Sequence, residues 1–218
     1  AWWGNTSLTS FLATGLDSGT LFPSAWQNCN SLETFPAIPL TAGENFSYAW
    51  YQCSSLTSFL ATGLDSGTNF IGTWQQCTAL ATFPALDLSD GTNFSSTWRA
   101  CTGLTSFPSG IDISSGTDFE NCWHTCTSLT SFPALDLSNG ADFAHCWNGC
   151  TSLVSFSSGL DVSSGRFFYS AWYNNTALTT FPAGVFDDWN PASVDNSCFR
   201  YAWDGCTALT EQSVENIL

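Results

Sequence analysis

Nine tryptophans fall at an almost fixed interval, at positions 2, 26, 50, 74, 98, 123, 147, 172 and 203, with spacings of 24, 24, 24, 24, 25, 24, 25 and 31 residues. Three residues after each stands Cys29, Cys53, Cys77, Cys101, Cys126, Cys150 or Cys206, with Asn5 and Asn175 as the exceptions. Six after each is a leucine, from Leu8 to Leu209, and nine after each of the first eight is a phenylalanine, from Phe11 to Phe181. Four before lies a second phenylalanine, at Phe22, Phe46, Phe70, Phe94, Phe119, Phe143, Phe168 and Phe199. A unit this short cannot bury its apolar side alone, so it must stack on copies of itself, and the period overrides any local reading of secondary structure.

The unit reads F-x3-W-x2-C-x2-L-x2-F-P, followed by roughly L-D-x-S-x-G-T-x. The phrase SLTSFLATGLDSGT, at 7–20 and again at 55–68, points to duplication in pairs of units. Phe94, Trp98 and Cys101 stand at i, i+4 and i+7, the spacing of one helical face, which predicts a short helix in each unit. A polar residue before the phenylalanine caps it, and Pro23 falls where a first-turn proline is tolerated. The LTSF stretch after the cysteine reads as a strand ended by Pro36, Pro84, Pro108, Pro133 or Pro182. The expectation is therefore an α/β solenoid of strand-plus-short-helix units of about 24 residues, strand on strand and helix on helix. About eight units fill 1–209, with an insertion near 183–198, and 210–218 is expected to close the last face. At a strand spacing of ~4.8 Å, the strand layer is ~40 Å long.

The surface chemistry narrows the partners. Three arginines, no lysine and eighteen carboxylates give a net charge of −15, which repels phosphate backbones and anionic headgroups. Only 10% of residues are charged, so solubility falls to 56 Ser and Thr hydroxyls. No apolar run reaches the ~18 residues of a membrane span, and no secretory signal opens the chain.

W-x2-C-x-x-L-T-S-F with a following L-D-L-S-x-G-T resembles the BspA-like class of leucine-rich repeats, in the versions found in marine phage and bacterial surface proteins. The resemblance spans essentially the whole chain, and the ending ALTEQSVENIL is similar to the segment that closes such arrays. It implies an adhesive or structural role outside the cell, on a cell surface or on a virion, without enzymatic activity and without a cofactor.

Several residue sets carry competing readings. The cysteine after each tryptophan reads as an inward column of free thiols, because buried cysteine packs as a small hydrophobe. Disulfides among Cys122, Cys126, Cys146, Cys198 and Cys206, or a metal held with His124 and His145, are the alternatives. Asp17, Asp65, Asp87, Asp112, Asp136 and Asp161 form a column that either accepts hydrogen bonds from turn amides or gathers calcium. Asn5, Asn45, Asn93 and Asn174 open N-x-Ser/Thr triplets that a hydroxyl-rich chain generates by chance. Two histidines, placed by the same reading in helices, no G-x-S-x-G and no phosphate loop leave no catalytic constellation.

Two regions remain as candidate binding sites. The insertion carries Asp187, Asp188 and Trp189, and insertions in repeat arrays often mark a binding face, with simple elaboration of the array as the rival. With the strand face it is expected to bind a surface glycan or protein. The ends offer Trp2, Trp3 and Leu8 at one terminus and Val214, Ile217 and Leu218 at the other, which would let copies of the chain stack head to tail as an extracellular filament.

Overall fold

The computed structural model describes residues 2–10, 13–186, 189 and 197–217. The chain winds as a solenoid whose successive coils bond in parallel register, 24 or 25 residues apart up to Trp172 and 30 apart across the insertion. Paired strands are two residues long. β1 (Thr34–Phe35) lies beside β2 (Ser58–Phe59), and β3 (Ser131–Phe132) beside β4 (Ser155–Phe156). Isolated bridges extend this face, including Thr82 to Ser106 and Ser155 to Thr180. A short helix, α1 (Glu211–Ile217), follows the last coil. It is tied to the preceding coil through Ser213, whose hydroxyl accepts the Phe181 amide at 3.0 Å and donates to the Thr179 carbonyl at 3.2 Å.

Among the described residues the predicted helix in each unit is absent, and a ladder of turns takes its place. In the unit around Trp98, the amides of Phe94, Ser96, Trp98 and Ala100 donate to the carbonyls of Asp118, Glu120, Cys122 and His124 in the next coil, at 2.8–3.0 Å. The alternate amides close turns inside the coil, Thr97 to Phe94, Arg99 to Ser96 and Cys101 to Trp98, at 3.1–3.2 Å. Ser96 and Ala100 sit at φ 57°, the i+2 position of type II turns. The same pair of positive φ values, two residues before and two after the tryptophan, recurs at Ser24 and Asn28, Tyr48 and Gln52, Gly72 and Gln76, and on to Tyr201 and Gly205.

Pitch explains the replacement. Packed helices need 8–10 Å between axes, whereas paired strands are ~4.8 Å apart. The column indoles are 4.9–5.7 Å apart with planes within 9° of parallel, so both sides of the solenoid advance by one strand spacing per coil. A helix does not fit in that rise. A turn ladder does, because half its amides point along the axis. His124 and His145 accordingly lie in turns rather than in helices.

Three aromatic columns fill the interior. The tryptophans stack on one another, and beside them Phe22, Phe46, Phe70, Phe94, Phe119, Phe143, Phe168 and Phe199 stack at 4.9–5.6 Å. Phe35, Phe59, Phe83, Phe107, Phe132, Phe156 and Phe181 meet the indoles edge on; Phe35, for example, lies 4.8 Å from Trp26 and 4.9 Å from Trp50. Trp50, Trp74, Trp98, Trp123, Trp147 and Trp172 are fully buried, and their indole N–H groups meet no acceptor, a cost of ~1–3 kcal/mol each that ring burial offsets. Three residues before each first-column phenylalanine from Phe22 to Phe168 stands a glycine, from Gly19 to Gly165, because a Cβ there would collide with the ring.

Candidate functional site

The residue just before each column tryptophan from Trp26 on is buried, but several others in the same turns reach the surface, and that face of the solenoid carries the chain's distinctive side chains. All five tyrosines lie within three residues of a column tryptophan: Tyr48 and Tyr51 beside Trp50, Tyr169 and Tyr173 beside Trp172, and Tyr201 beside Trp203. Both histidines and two of the three arginines, Arg99 and Arg200, occupy the same kind of position. Tyr48, Tyr169 and Tyr201 are exposed.

These side chains form two groups. Near the C-terminal end, His145 meets the ring of Tyr169 edge on at 5.1 Å, and Tyr169 meets Tyr201 at 5.8 Å. Arg200 lies 4.8 Å from the centre of the Tyr201 ring and donates to its hydroxyl at 2.9 Å. With Tyr173, Asn148 and Asp204 the rings border a shallow groove of about 320 Å³. Toward the N-terminal end, Tyr48 and Tyr51 meet edge on at 5.9 Å. With Gln27, Gln75, Ser96 and Arg99 they border a second groove of about 390 Å³. Between them, the Arg99 guanidinium donates to Nδ1 of His124 at 3.2 Å. Burial first, then the charges of Arg99 and His145, push His124 down to about 4, so it is neutral at physiological pH.

The cysteine column faces inward, as expected. Each thiol donates to the carbonyl of the tryptophan one coil earlier, Cys53 to Trp26, Cys77 to Trp50, Cys101 to Trp74 and Cys126 to Trp98, at 3.1–3.2 Å. Cys29, Cys53, Cys77, Cys101, Cys122, Cys126, Cys146, Cys150 and Cys206 are free thiols. Burial pushes Cys53, Cys101 and Cys150 up to about 12. Among the described residues no three His, Cys, Asp or Glu side chains gather at metal-binding distance. Asp87, Asp112, Asp136 and Asp161 accept the amides of Ser89, Ser114, Ser138 and Ser163 at 2.9–3.1 Å, the turn-amide role expected of that column. Asn5, Asn45 and Asn93 of the N-x-Ser triplets fold back on their own backbone, on the amides of Ser7, Ser47 and Ser95.

Trp189 of the insertion is half-buried. Its indole donates to the Gly165 carbonyl at 2.7 Å and its ring packs on Phe199 at 5.0 Å, so it ties the insertion to the array. Asp187 and Asp188 lie outside the described residues. Of the end residues, Trp2 continues the stack on Trp26 at 5.4 Å and Leu8 packs against the core, while Trp3 is 65% and Val214 44% exposed. Ile217 ends α1, and Leu218 lies outside the described residues. The tyrosine face went unnoticed in the sequence, although the grouping of all five tyrosines around the tryptophan column was legible there.

No family model matches the chain, and no curated protein matches it. Among solved structures, a leucine-rich repeat protein of T. pallidum is similar at 17% identity and a TM-score of 0.50, over 91% of this chain and 75% of that one. A leucine-rich cell surface protein from Faecalibacterium prausnitzii A2-165 matches at 15% identity and a TM-score of 0.33, over 90% of this chain and 78% of that one. The first of these likenesses is one of fold, and it agrees with the coil-on-coil bonding: the chain is built as a leucine-rich-repeat solenoid.

Proposed function

We propose that this chain is a non-enzymatic adhesion scaffold of the BspA-like kind, working outside the cell, on a cell surface or on a virion, and that it binds through its turn face. The observation that carries this reading is the gathering of five tyrosines, two histidines, Arg99 and Arg200 along one side of a rigid stack. Tyrosine and arginine give large contact area with a polar tip and little entropy to lose, which is why they dominate recognition surfaces. The tyrosine rings are not needed by the core, which the buried columns already fill. No helix among the described residues is long and apolar enough to cross a membrane. Bonding from coil to coil holds the turn-face side chains in register along the stack.

The test is binding of the labelled chain to arrays of surface proteins and glycans, beside a variant with Tyr48, Tyr169 and Tyr201 each changed to Ser and a strand-face variant, Thr105→Ala. The reading predicts a ligand lost by the tyrosine variant and kept by Thr105→Ala. Equal capture by the wild type and the tyrosine variant would place recognition on another face.

A further inference from the structure

Two tyrosines and a histidine sit in the left-handed region of the backbone. The residue two before each column tryptophan takes a positive φ, the left-handed region that suits glycine and asparagine. Ser24, Gly72, Ser96, Asn121 and Ser170 fill that place in five coils, but Tyr48 (φ 55°), His145 (φ 55°) and Tyr201 (φ 58°) fill it in three. Those three line the two grooves of the turn face. A tyrosine held at positive φ carries a conformational cost that serine, asparagine or glycine at the same place reduces.

What the grooves offer is specific in kind. Each sets tyrosine rings beside polar groups: Asn148, His145 and the acceptor Asp204 in one, Gln27, Gln75, Ser96 and the donor Arg99 in the other. Ring faces match the C–H faces of a pyranose, and amide, carboxylate and imidazole groups match its hydroxyls. Both volumes fall at the small end of the range for small-ligand sites. The net charge of −15 disfavours uronic acid and sulfated chains and leaves neutral sugars. The grooves lie on one face of one axis, five coils apart from Trp50 to Trp172, which at ~4.8 Å per coil is about 24 Å.

Resting on the adhesion reading above, we infer that the two tyrosine grooves are subsites for a neutral polysaccharide lying along the solenoid axis, with Tyr201, Tyr169 and His145 holding one sugar unit and Tyr48 and Tyr51 another. Two weak subsites on a rigid stack bind a long chain far more tightly than a short one, because the second contact is made at high effective concentration.

Affinity electrophoresis of the whole chain in gels cast with laminarin, mannan, galactomannan or xyloglucan, and separately with alginate, tests this. The wild type is expected to be retarded by at least one neutral polymer and not by alginate. Tyr201→Asn puts a residue that accepts positive φ in place of one that resists it, so its thermal midpoint should rise by ~2–4 °C while retardation falls at least tenfold. Tyr48→Asn should likewise fold, and should weaken binding to the polymer while leaving binding of a short oligosaccharide of the same sugar at the other groove. Loss of binding with a raised midpoint is the result that a merely structural tyrosine does not give. Retardation by alginate alone, retardation unchanged in both variants, or capture only of a protein on the arrays would overturn the saccharide assignment. The last outcome would leave the turn-face adhesion reading standing.

Discussion

The thiol of Cys126 donates to the carbonyl of Trp98, 3.1 Å away in the preceding coil, while that same carbonyl accepts the amide of Cys101 at 3.2 Å. One cysteine closes the turn and the next ties the coils together. Cys126→Ala removes the sulfur and one of the two donors, and should cost ~1–2 kcal/mol in urea unfolding, since Trp98 keeps its other partner. An unchanged midpoint would mean that the thiol is not packed inside.

The same burial fixes the pH dependence. Cys53, Cys101 and Cys150 ordinarily titrate near 9 and are pushed up to about 12 in the folded chain. Above pH 9 the unfolded chain gives up protons that the folded chain keeps, so ionisation favours unfolding. The stabilising contribution of these thiols is whole below pH 9 and is lost as pH rises toward 12. Urea midpoints should show no thiol-linked fall between pH 7 and pH 8 and should drop above pH 9, and iodoacetamide should label these cysteines only after unfolding.

Trp98 touches Trp74, Trp123, Phe94, Phe83 and Phe107. Trp98→Ala should therefore cost ~3–5 kcal/mol. Trp98→Phe should cost less, because it keeps a ring in the column and removes a buried indole N–H that has no acceptor. Equal losses from the two changes would contradict the stacked arrangement.

Backbone positions give effects of opposite sign. Thr125, a β-branched residue at φ 57°, should gain ~1 kcal/mol on replacement by Asn, the residue found at the equivalent Asn28 and Asn174. Gly91→Ala should lose ~1–3 kcal/mol, because its methyl group would meet the Phe94 ring and the Leu88 carbonyl. Thermal unfolding of both variants checks the pair.

Much of this was legible before any coordinates. The fixed interval assigns Trp, Phe, Cys and Leu to inward columns, and Asp before Ser reads correctly as a turn acceptor. A turn ladder, like a helix, turns Phe94, Trp98 and Cys101 inward, so apolar spacing alone does not separate the two. Residue type at the flanking positions was the missing signal: Asn28, Gly72, Gly149, Asn174 and Gly205 all favour positive φ. The strand pitch on the opposite side was the other, since it leaves no room for a helix. Trp189 drew notice by breaking the pattern, yet its indole is spent on the Gly165 carbonyl, whereas the tyrosines keep to the period and so did not stand out.

The ladder of turns is tested most directly by scalar coupling across hydrogen bonds in NMR of isotope-labelled protein. In the structure the Trp98 amide donates to the Cys122 carbonyl at 3.0 Å and the Thr97 amide to the Phe94 carbonyl at 3.2 Å. A coupling between the Trp98 nitrogen and the Cys122 carbonyl carbon is the predicted result. A coupling from Trp98 to Phe94, four residues back in the same unit, would restore the helix and contradict the account.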